Sequence, residues 1–176
     1  TYALNGNADF MGDDIHYASN HDFVGIEFSI HGMLDGRVRV GMPGKFNADN
    51  ALAALAVCTL ALSGGSGVLD GSLVKVRVDG RMEIAHVSKK RSVIVDYAHN
   101  AVSMESLLTT LRDYHPKRLV CVFGCGGNRA RDRRYSMGEI GGKMADLCII
   151  TADNPRFEKN EDIIKDIEVG LAKTDG

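Results

Sequence analysis

Three polar or glycine-rich segments follow apolar, strand-like runs at nearly equal intervals along the chain. They are 96–100 (DYAHN), 124–129 (GCGGNR) and 153–156 (DNPR), and their first residues are 28 and 29 residues apart. This interval is close to the length of one βαβ unit, about 30 residues. Because ligands of parallel sheets bind outside the carboxyl ends of the strands, the three segments together predict a binding crevice.

The segment 124–129 has the composition of an anion-binding turn. Its glycines allow backbone N–H groups to approach a carboxylate or phosphate, and Arg129 adds a positive charge beside the turn. The alternative is a flexible turn followed by a solvated basic helix start, which we expect for Arg131 and Arg133. The segment lacks the G-K-[ST] of a phosphate loop, and the chain has no G-x-G-x-x-G dinucleotide fingerprint after its first strand.

The segment 96–100 suits a nucleotide. Asp96 at a strand end could bind a ribose hydroxyl, and Tyr97 and His99 could lie against a base. The alternative is that Asn100 only caps a helix there, with nothing bound. In GKFNADN, Asn47 is predicted to be an N-cap, which does not explain Asn50 on the same helical face.

The elements that would position these residues follow from the apolar pattern. Alternation over 23–31 and again after Asp35-Gly36 predicts a hairpin, and an Ala- and Leu-rich helix, apolar nearly all round and therefore buried, follows and ends at Gly64-Gly65. Beyond a boundary near Asp79, three strands alternate with helices. Stripes on those helices are Met104, Leu107, Leu108 and Leu111; Met137, Ile140 and Met144; and Ile163, Ile164, Ile167 and Leu171. This alternation predicts an α/β fold with a parallel, doubly wound sheet.

Composition restricts the class of protein. The 176 residues are 44% apolar and 25% charged with a net charge of −2, which is ordinary for a soluble globular protein and argues against a general nucleic-acid or membrane-surface binder. The four cysteines, Cys58, Cys121, Cys125 and Cys148, form no C-x-x-C pair. They therefore indicate reduced core thiols in a cytosolic compartment rather than metal ligands or disulfides.

The motifs taken in order carry a family resemblance. G-x-F-N-x-x-N-x-x-A-A, G-R-M-E, D-Y-A-H, F-G-C-G-G-x-R and D-N-P-R, from Gly44 to Arg156, resemble the Mur ligases of bacterial cell-wall synthesis in order and spacing. The resemblance implies that residues 1–78 are the end of a P-loop-type central ATPase domain. It also implies that residues 79–176 are the first part of a truncated C-terminal, Rossmann-like domain that binds the incoming amino acid. The phosphate loop would lie upstream.

The resemblance also implies ligands and roles. It implies ATP and magnesium as cofactors, and UDP-N-acetylmuramoyl dipeptide and meso-diaminopimelate as substrates, joined through an acyl phosphate. It implies a monomer of the bacterial cytoplasm without nucleic-acid or membrane partners, and no catalytic or metal-binding residue within these 176. The residues implied to bind ATP are Asn47, Asn50, Arg81, Asp96, Tyr97 and His99. Those implied to bind the amino acid are Arg129, Asp153, Asn154, Pro155 and Arg156.

Arg156 decides between two forms of the family. D-N-P-R resembles the form that adds diaminopimelate, whose distal carboxylate an arginine fork can hold with two hydrogen bonds; lysine lacks that carboxylate. A lysine-adding ligase, a folylpolyglutamate-synthetase-like ligase and a non-catalytic nucleotide-binding module are the alternatives. The chain departs from the family pattern at Asp79, where proline is usual, and at Asn100-Ala101, where Thr-Pro is common.

Overall fold

The chain divides into two compact units. The computed structural model describes residues 1–19, 23–62, 72–88 and 91–174. The units are Thr1–Tyr97 and Ala98–Gly176. The predicted helix end at Gly64-Gly65 lies outside the described residues. In the part of the chain that is described, no helix combines the length and apolar character needed to cross a bilayer.

The first unit is built on a four-stranded sheet. Its strands, which pair in chain order, are β1 (Tyr2–Leu4), β2 (Phe10–Ser19), β3 (Val24–Gly32) and β4 (Gly36–Val40). β1 pairs with β2 in parallel, and the other two pairs are antiparallel, which confirms the predicted hairpin between β3 and β4. The alternation of β3 puts Ile26, Phe28 and Ile30 on one face, where all three are fully buried.

Helix α1 (Lys45–Ala61) packs on that sheet through Ala48, Leu52 and Leu55. The prediction that it is buried nearly all round is wrong, because Val57 and Leu60 are 67% and 63% exposed. The sheet covers only one side of the helix. A sequence that is apolar on every side does not reveal which side is covered.

The remaining strands of the first unit form a separate pair. A 3₁₀ turn spans Ser72–Lys75, and β5 (Glu83–Ser88) pairs antiparallel with β6 (Arg91–Val95). The prediction that β6 joins a parallel sheet with the later strands is wrong for the described residues, where β6 pairs with β5 alone. Only two residues separate β5 from β6, and a connection that short joins antiparallel strands.

The second unit alternates helices and strands as predicted. In order its elements are α2 (Ala101–Arg112), β7 (Val120–Phe123), α3 (Arg131–Met144), β8 (Leu147–Ile150) and α4 (Asn160–Leu171). β7 and β8 pair in parallel, so the α/β class with parallel strands is confirmed. The predicted stripes supply the core, which includes Met104, Leu108, Met137, Ile163 and Ile167. Because β7 and β8 run in the same direction, the segments that follow them leave the same edge of the sheet.

Candidate functional site

Two loops interlock where β7 and β8 end. We call residues 124–129 the glycine loop and residues 153–158 the proline loop. The N–H of Gly127 donates to the carbonyl of Asn154 at 2.8 Å. A Cβ on Gly127 would lie 1.9 Å from the carbonyl oxygen of Pro155, so only glycine permits this approach. The glycine loop and the proline loop thus form one continuous surface.

Arg156 is held by both loops. Its φ of 51° lies in the left-handed region, which is unusual for a residue with a side chain. The Asn154 side chain accepts from the Arg156 N–H at 3.3 Å, and the Arg156 Nη1 donates to the carbonyl of Gly127. Arg156 is nevertheless exposed as a residue. The structure therefore fixes the backbone of Arg156 and one terminal nitrogen of its guanidinium, while part of the side chain's surface stays open to a ligand.

The other predicted amino-acid-binding residues lie in the same two loops. Arg129 is exposed, and its side chain makes no hydrogen bond or ion pair with any other described residue. Asp153 and Asn154 are exposed, whereas Pro155 is half-buried. The loops thus bring the side chains of Arg129, Arg156 and Asp153 to one edge of the sheet. Guanidinium groups suit carboxylates, and a carboxylate suits an ammonium group, as a zwitterionic amino acid would require.

Asn47 and Asn50 form a pair at the start of α1. Asn47 is 4% exposed and donates from Nδ2 to the carbonyl of Pro43 at 2.7 Å, while its Oδ1 accepts from Asn50 at 3.2 Å. The prediction that Asn47 is the N-cap is wrong, because the helix begins after Gly44, whose φ is 103°. Asn47 instead orients Asn50, which is the exposed member of the pair.

Arg81, Asp96 and Tyr97 come together beside the β5–β6 hairpin. The Arg81 guanidinium lies 4.7 Å from the centre of the Tyr97 ring, within the range of a cation–π contact. Asp96 Oδ2 accepts from the N–H of Met82 at 2.8 Å. Arg81 belongs to a turn that is closed by a bridge between Val78 and Arg81. The turn forms with Asp79 in the position where the family usually has proline.

His99 and Asn100 precede helix α2. His99 is exposed. Asn100 is the N-cap of α2, since its side chain accepts from the Ser103 N–H at 2.9 Å and the Ser103 hydroxyl accepts from the Asn100 N–H. This capping box provides the helix start that Thr-Pro is expected to give in the family.

Sequence reasoning missed the most buried charged side chain, Arg134 of α3, which is 1% exposed. It contacts both oxygens of Glu158 at 2.7 and 2.9 Å and Asp166 at 2.9 Å. A signal was available, because Arg134 shares a helical face with Met137, Gly138 and Gly141 at spacings of three, four and seven residues. Of its neighbours, Arg131 is exposed as predicted, whereas Arg133 is half-buried.

Glu158 is held in its charged form. The hydrogen bonds from Arg134, and then the one from the Asn128 N–H, lower the pKa of Glu158 from 4.5 to about 2. Because the pKa is lowered by folding, its contribution to stability is complete above the unfolded value and is lost only as the pH falls through about 2. The contact between Arg134 and Glu158 therefore persists throughout the neutral and mildly acidic range.

The four cysteines lie in different environments. All four are free, and burial raises the pKa of Cys121 and Cys125 to about 11. Cys58 is exposed, so it is not a core thiol. Within residues 1–19, 23–62, 72–88 and 91–174, no three His, Cys, Asp or Glu side chains are placed to hold a metal ion.

The parallel strands, their flanking helices and the interlocked loops define an α/β domain. Residues 80–175 match the family described as "Mur ligase, glutamate ligase domain". Because the match covers more than half of the sequence, this chain belongs to the Mur ligase family.

Individual relatives match over nearly the whole chain. The UDP-N-acetylmuramoyl-L-alanyl-D-glutamate--2,6-diaminopimelate ligase 1 of Clostridium acetobutylicum is 39% identical, over 99% of this chain and 36% of its own length. A solved structure of a ligase of the same name is 32% identical with a TM-score of 0.66, covering 96% of this chain and 34% of that one. The Mycobacterium tuberculosis folylpolyglutamate synthase complexed with ADP and AMPPCP has a TM-score of 0.69 at 21% identity, covering 97% and 38%, which shows a shared fold alone. The chain spans about a third of the length of the curated relatives it matches.

Proposed function

We propose that this chain is part of an ATP-dependent ligase that joins meso-diaminopimelate to UDP-N-acetylmuramoyl-L-alanyl-D-glutamate. The observation that carries the proposal is Arg156, fixed by both interlocked loops and still exposed. The names of the relatives, which match the chain at up to 40% identity, support the same substrate. We further propose that the ligase acts as a monomer in the bacterial cytoplasm, with a domain boundary near Asp79.

The amino-acid site is assigned to the two loops. Arg156 would hold the distal carboxylate of diaminopimelate in a bidentate pair, because its planar fork matches a carboxylate. Arg129, which has no partner among the described residues, would bind the other carboxylate. Asp153 would bind an ammonium group. Asn154 and Pro155 would contribute through the backbone shape that brings the loops together.

The proposed nucleotide contacts are assigned residue by residue. Asn50 would contact the adenine with Asn47 behind it, Arg81 the phosphates, Asp96 the ribose and Tyr97 the base. The contact of His99 with the base stays a prediction. ATP would supply the phosphoryl group that activates the glutamyl carboxylate. On the family resemblance, we assign most of the magnesium ligands to other parts of the complete ligase.

Three other functions are alternatives to this proposal. A folylpolyglutamate synthase shares the fold, but its substrate gives no reason for the D-N-P-R and F-G-C-G-G sequences. A lysine-adding ligase would have no distal carboxylate for Arg156 to bind. A non-catalytic module would bind the nucleotide without forming an amide.

The test is amide formation by the full-length protein that contains this chain. With ATP, magnesium and UDP-N-acetylmuramoyl-L-alanyl-D-glutamate, we expect a product with diaminopimelate and far less with lysine or glutamate. Equal use of lysine would support the lysine-adding alternative, and use of glutamate would support the folate-type ligase. Absence of any ATP-dependent product would support the alternative of a non-catalytic module.

Asp96 provides a prediction for the nucleotide site. In the full-length ligase we expect Asp96→Ala to raise the KM for ATP about 10-fold or more, because it removes a charge-assisted hydrogen bond to the ribose. Asp96→Asn should raise the KM for ATP less, since its amide oxygen can still accept from the Met82 N–H. Steady-state kinetics with varied ATP measure both changes.

The matched control is Asp79→Ala, which removes an exposed carboxylate from the neighbouring turn. It should leave the KM for ATP unchanged. If Asp96→Ala and Asp79→Ala behave alike, Asp96 does not bind the ribose.

A further inference from the structure

The Arg134 side chain is a buried cation with an unusual set of partners. Both of its terminal nitrogens donate to Glu158, and Nη1 also donates to Asp166 of α4. Its Nε is buried and has no hydrogen-bond partner in the described part of the chain. Burying a guanidinium with one donor unpaired costs free energy that an apolar side chain of similar size would not cost. Stability alone therefore does not explain an arginine at this position.

The partner Glu158 connects Arg134 to both ligand-binding loops. Glu158 belongs to the proline loop, and its backbone N–H donates to the carbonyl of Pro155 at 2.9 Å. Its Oε1 accepts from the N–H of Asn128 in the glycine loop as well as from Arg134 Nη2. One carboxylate is thus bonded to α3 and to the backbone of the glycine loop, while its own backbone stabilises the proline loop.

A second contact between the loops depends on the same alignment. Asn128 has a left-handed φ of 52°, and its side-chain oxygen accepts from the N–H of Phe157 at 3.1 Å. Phe157 and Glu158 are adjacent, so Asn128 donates to one and accepts from the other. Movement of Glu158 would disturb both bonds and, through the chain, the left-handed Arg156 next to Phe157.

We propose that Arg134 is a positioning residue for the amino-acid site, acting through Glu158 to keep the glycine and proline loops aligned. Arg134 touches no substrate in this arrangement. It fixes the separation of the loops that carry Arg129 and Arg156, so that both arginines can bind one amino acid at the same time. The identity of that amino acid rests on the function proposed above, whereas the alignment of the loops does not.

The experiment compares Arg134→Met and Glu158→Gln with Arg112→Met in the full-length ligase. Arg112 also makes a bidentate pair, with Asp146 at 2.9 and 3.1 Å, and it donates to the Met144 carbonyl before β8 rather than to either loop. It therefore controls for the loss of an arginine–carboxylate pair in the same unit.

We expect Arg134→Met and Glu158→Gln to raise the KM for diaminopimelate about 10-fold, the scale typical of residues that orient a ligand-binding group. The KM for ATP should stay within about twofold of wild type. Arg134→Lys should recover part of the loss, because it keeps the charge with a single point of contact. If Arg112→Met raises the KM for diaminopimelate as much, or if both KM values rise together, the positioning role is overturned.

Hydrogen exchange separates this inference from the proposed function. Peptides covering the glycine and proline loops should exchange faster in Glu158→Gln and Arg134→Met and at the wild-type rate in Arg112→Met. Glu158→Gln is nearly isosteric, so it gives a result even if Arg134→Met fails to fold. Unchanged loop exchange in Glu158→Gln would overturn the alignment role. A wild-type ligase that does not use diaminopimelate would overturn only the proposed function.

Discussion

Replacing Arg156 by alanine should abolish most of the preference for diaminopimelate over lysine that we propose for the full-length ligase. The bound amino acid would bury its charge pair with Arg156, and loss of one partner of a buried, hydrogen-bonded charge pair costs about 2–5 kcal/mol, which corresponds to about 30-fold or more in kcat/KM. Lysine has no distal carboxylate, so the low kcat/KM expected for lysine should change little. Arg156→Lys should recover only part of the loss, because an ammonium group keeps the charge without the fork. The measurement is the ratio of kcat/KM for the two amino acids.

The structure identifies a second effect of this substitution that a control must remove. Arg156 also donates to the Gly127 carbonyl, so Arg156→Ala weakens the contact between the loops whether or not it binds substrate. A purely structural role would lower the use of both amino acids alike and leave their ratio unchanged. Lys159→Ala, which removes an exposed cation three residues later, controls for the change of charge. A ratio that does not fall in Arg156→Ala would mean that Arg156 does not select the substrate.

Replacing Gly127 by alanine should separate the two loops. The added Cβ would lie 1.9 Å from the Pro155 carbonyl oxygen and 2.6 Å from its carbon, and backbone atoms cannot turn away as a flexible side chain can. Overpacking of this kind costs about 1–3 kcal/mol. We therefore expect a lower Tm and a large rise in the KM for diaminopimelate, with a much smaller change in the KM for ATP.

Gly6→Ala is the matched control for that substitution. A Cβ on Gly6 would have its nearest neighbour, the Ala3 Cβ, at 3.7 Å, an ordinary contact. We expect this variant to keep the wild-type Tm and kinetics. Thermal unfolding and steady-state kinetics on the same preparations test both variants. A Gly127→Ala protein with the wild-type KM for diaminopimelate would show that close contact between the loops is not needed for binding.

The elements that the sequence predicted well are those with a regular period and local contacts. The alternation in β3 determines which of its residues face the core, and the stripes of α2, α3 and α4 determine theirs. The glycine and proline loops could be assigned to one edge of the sheet because parallel strands end on the same side. These inferences need only the geometry of a strand, a helix and a βαβ unit.

The features that the sequence did not reveal depend on pairings between distant residues. The partners of Arg134 are 24 and 32 residues away in sequence, so the helical face of Arg134 could indicate its burial but not which carboxylates it would contact. The sequence also did not reveal that β6 pairs with β5, because the strand propensity of a segment does not specify which strand it pairs with. Helix α1 begins at Lys45, so Asn47 lies inside the helix, where it is buried, and not at the N-cap position that its residue type suggested.

A crystal structure of the full-length ligase with diaminopimelate bound would test directly whether Arg156 binds the distal carboxylate. We expect two nitrogen–oxygen distances of about 2.7–3.2 Å between the Arg156 guanidinium and the distal carboxylate. We also expect the bond between Glu158 and the Asn128 N–H to be retained. A distal carboxylate bound elsewhere, with the Arg156 guanidinium bonded only to Gly127, would contradict the claim.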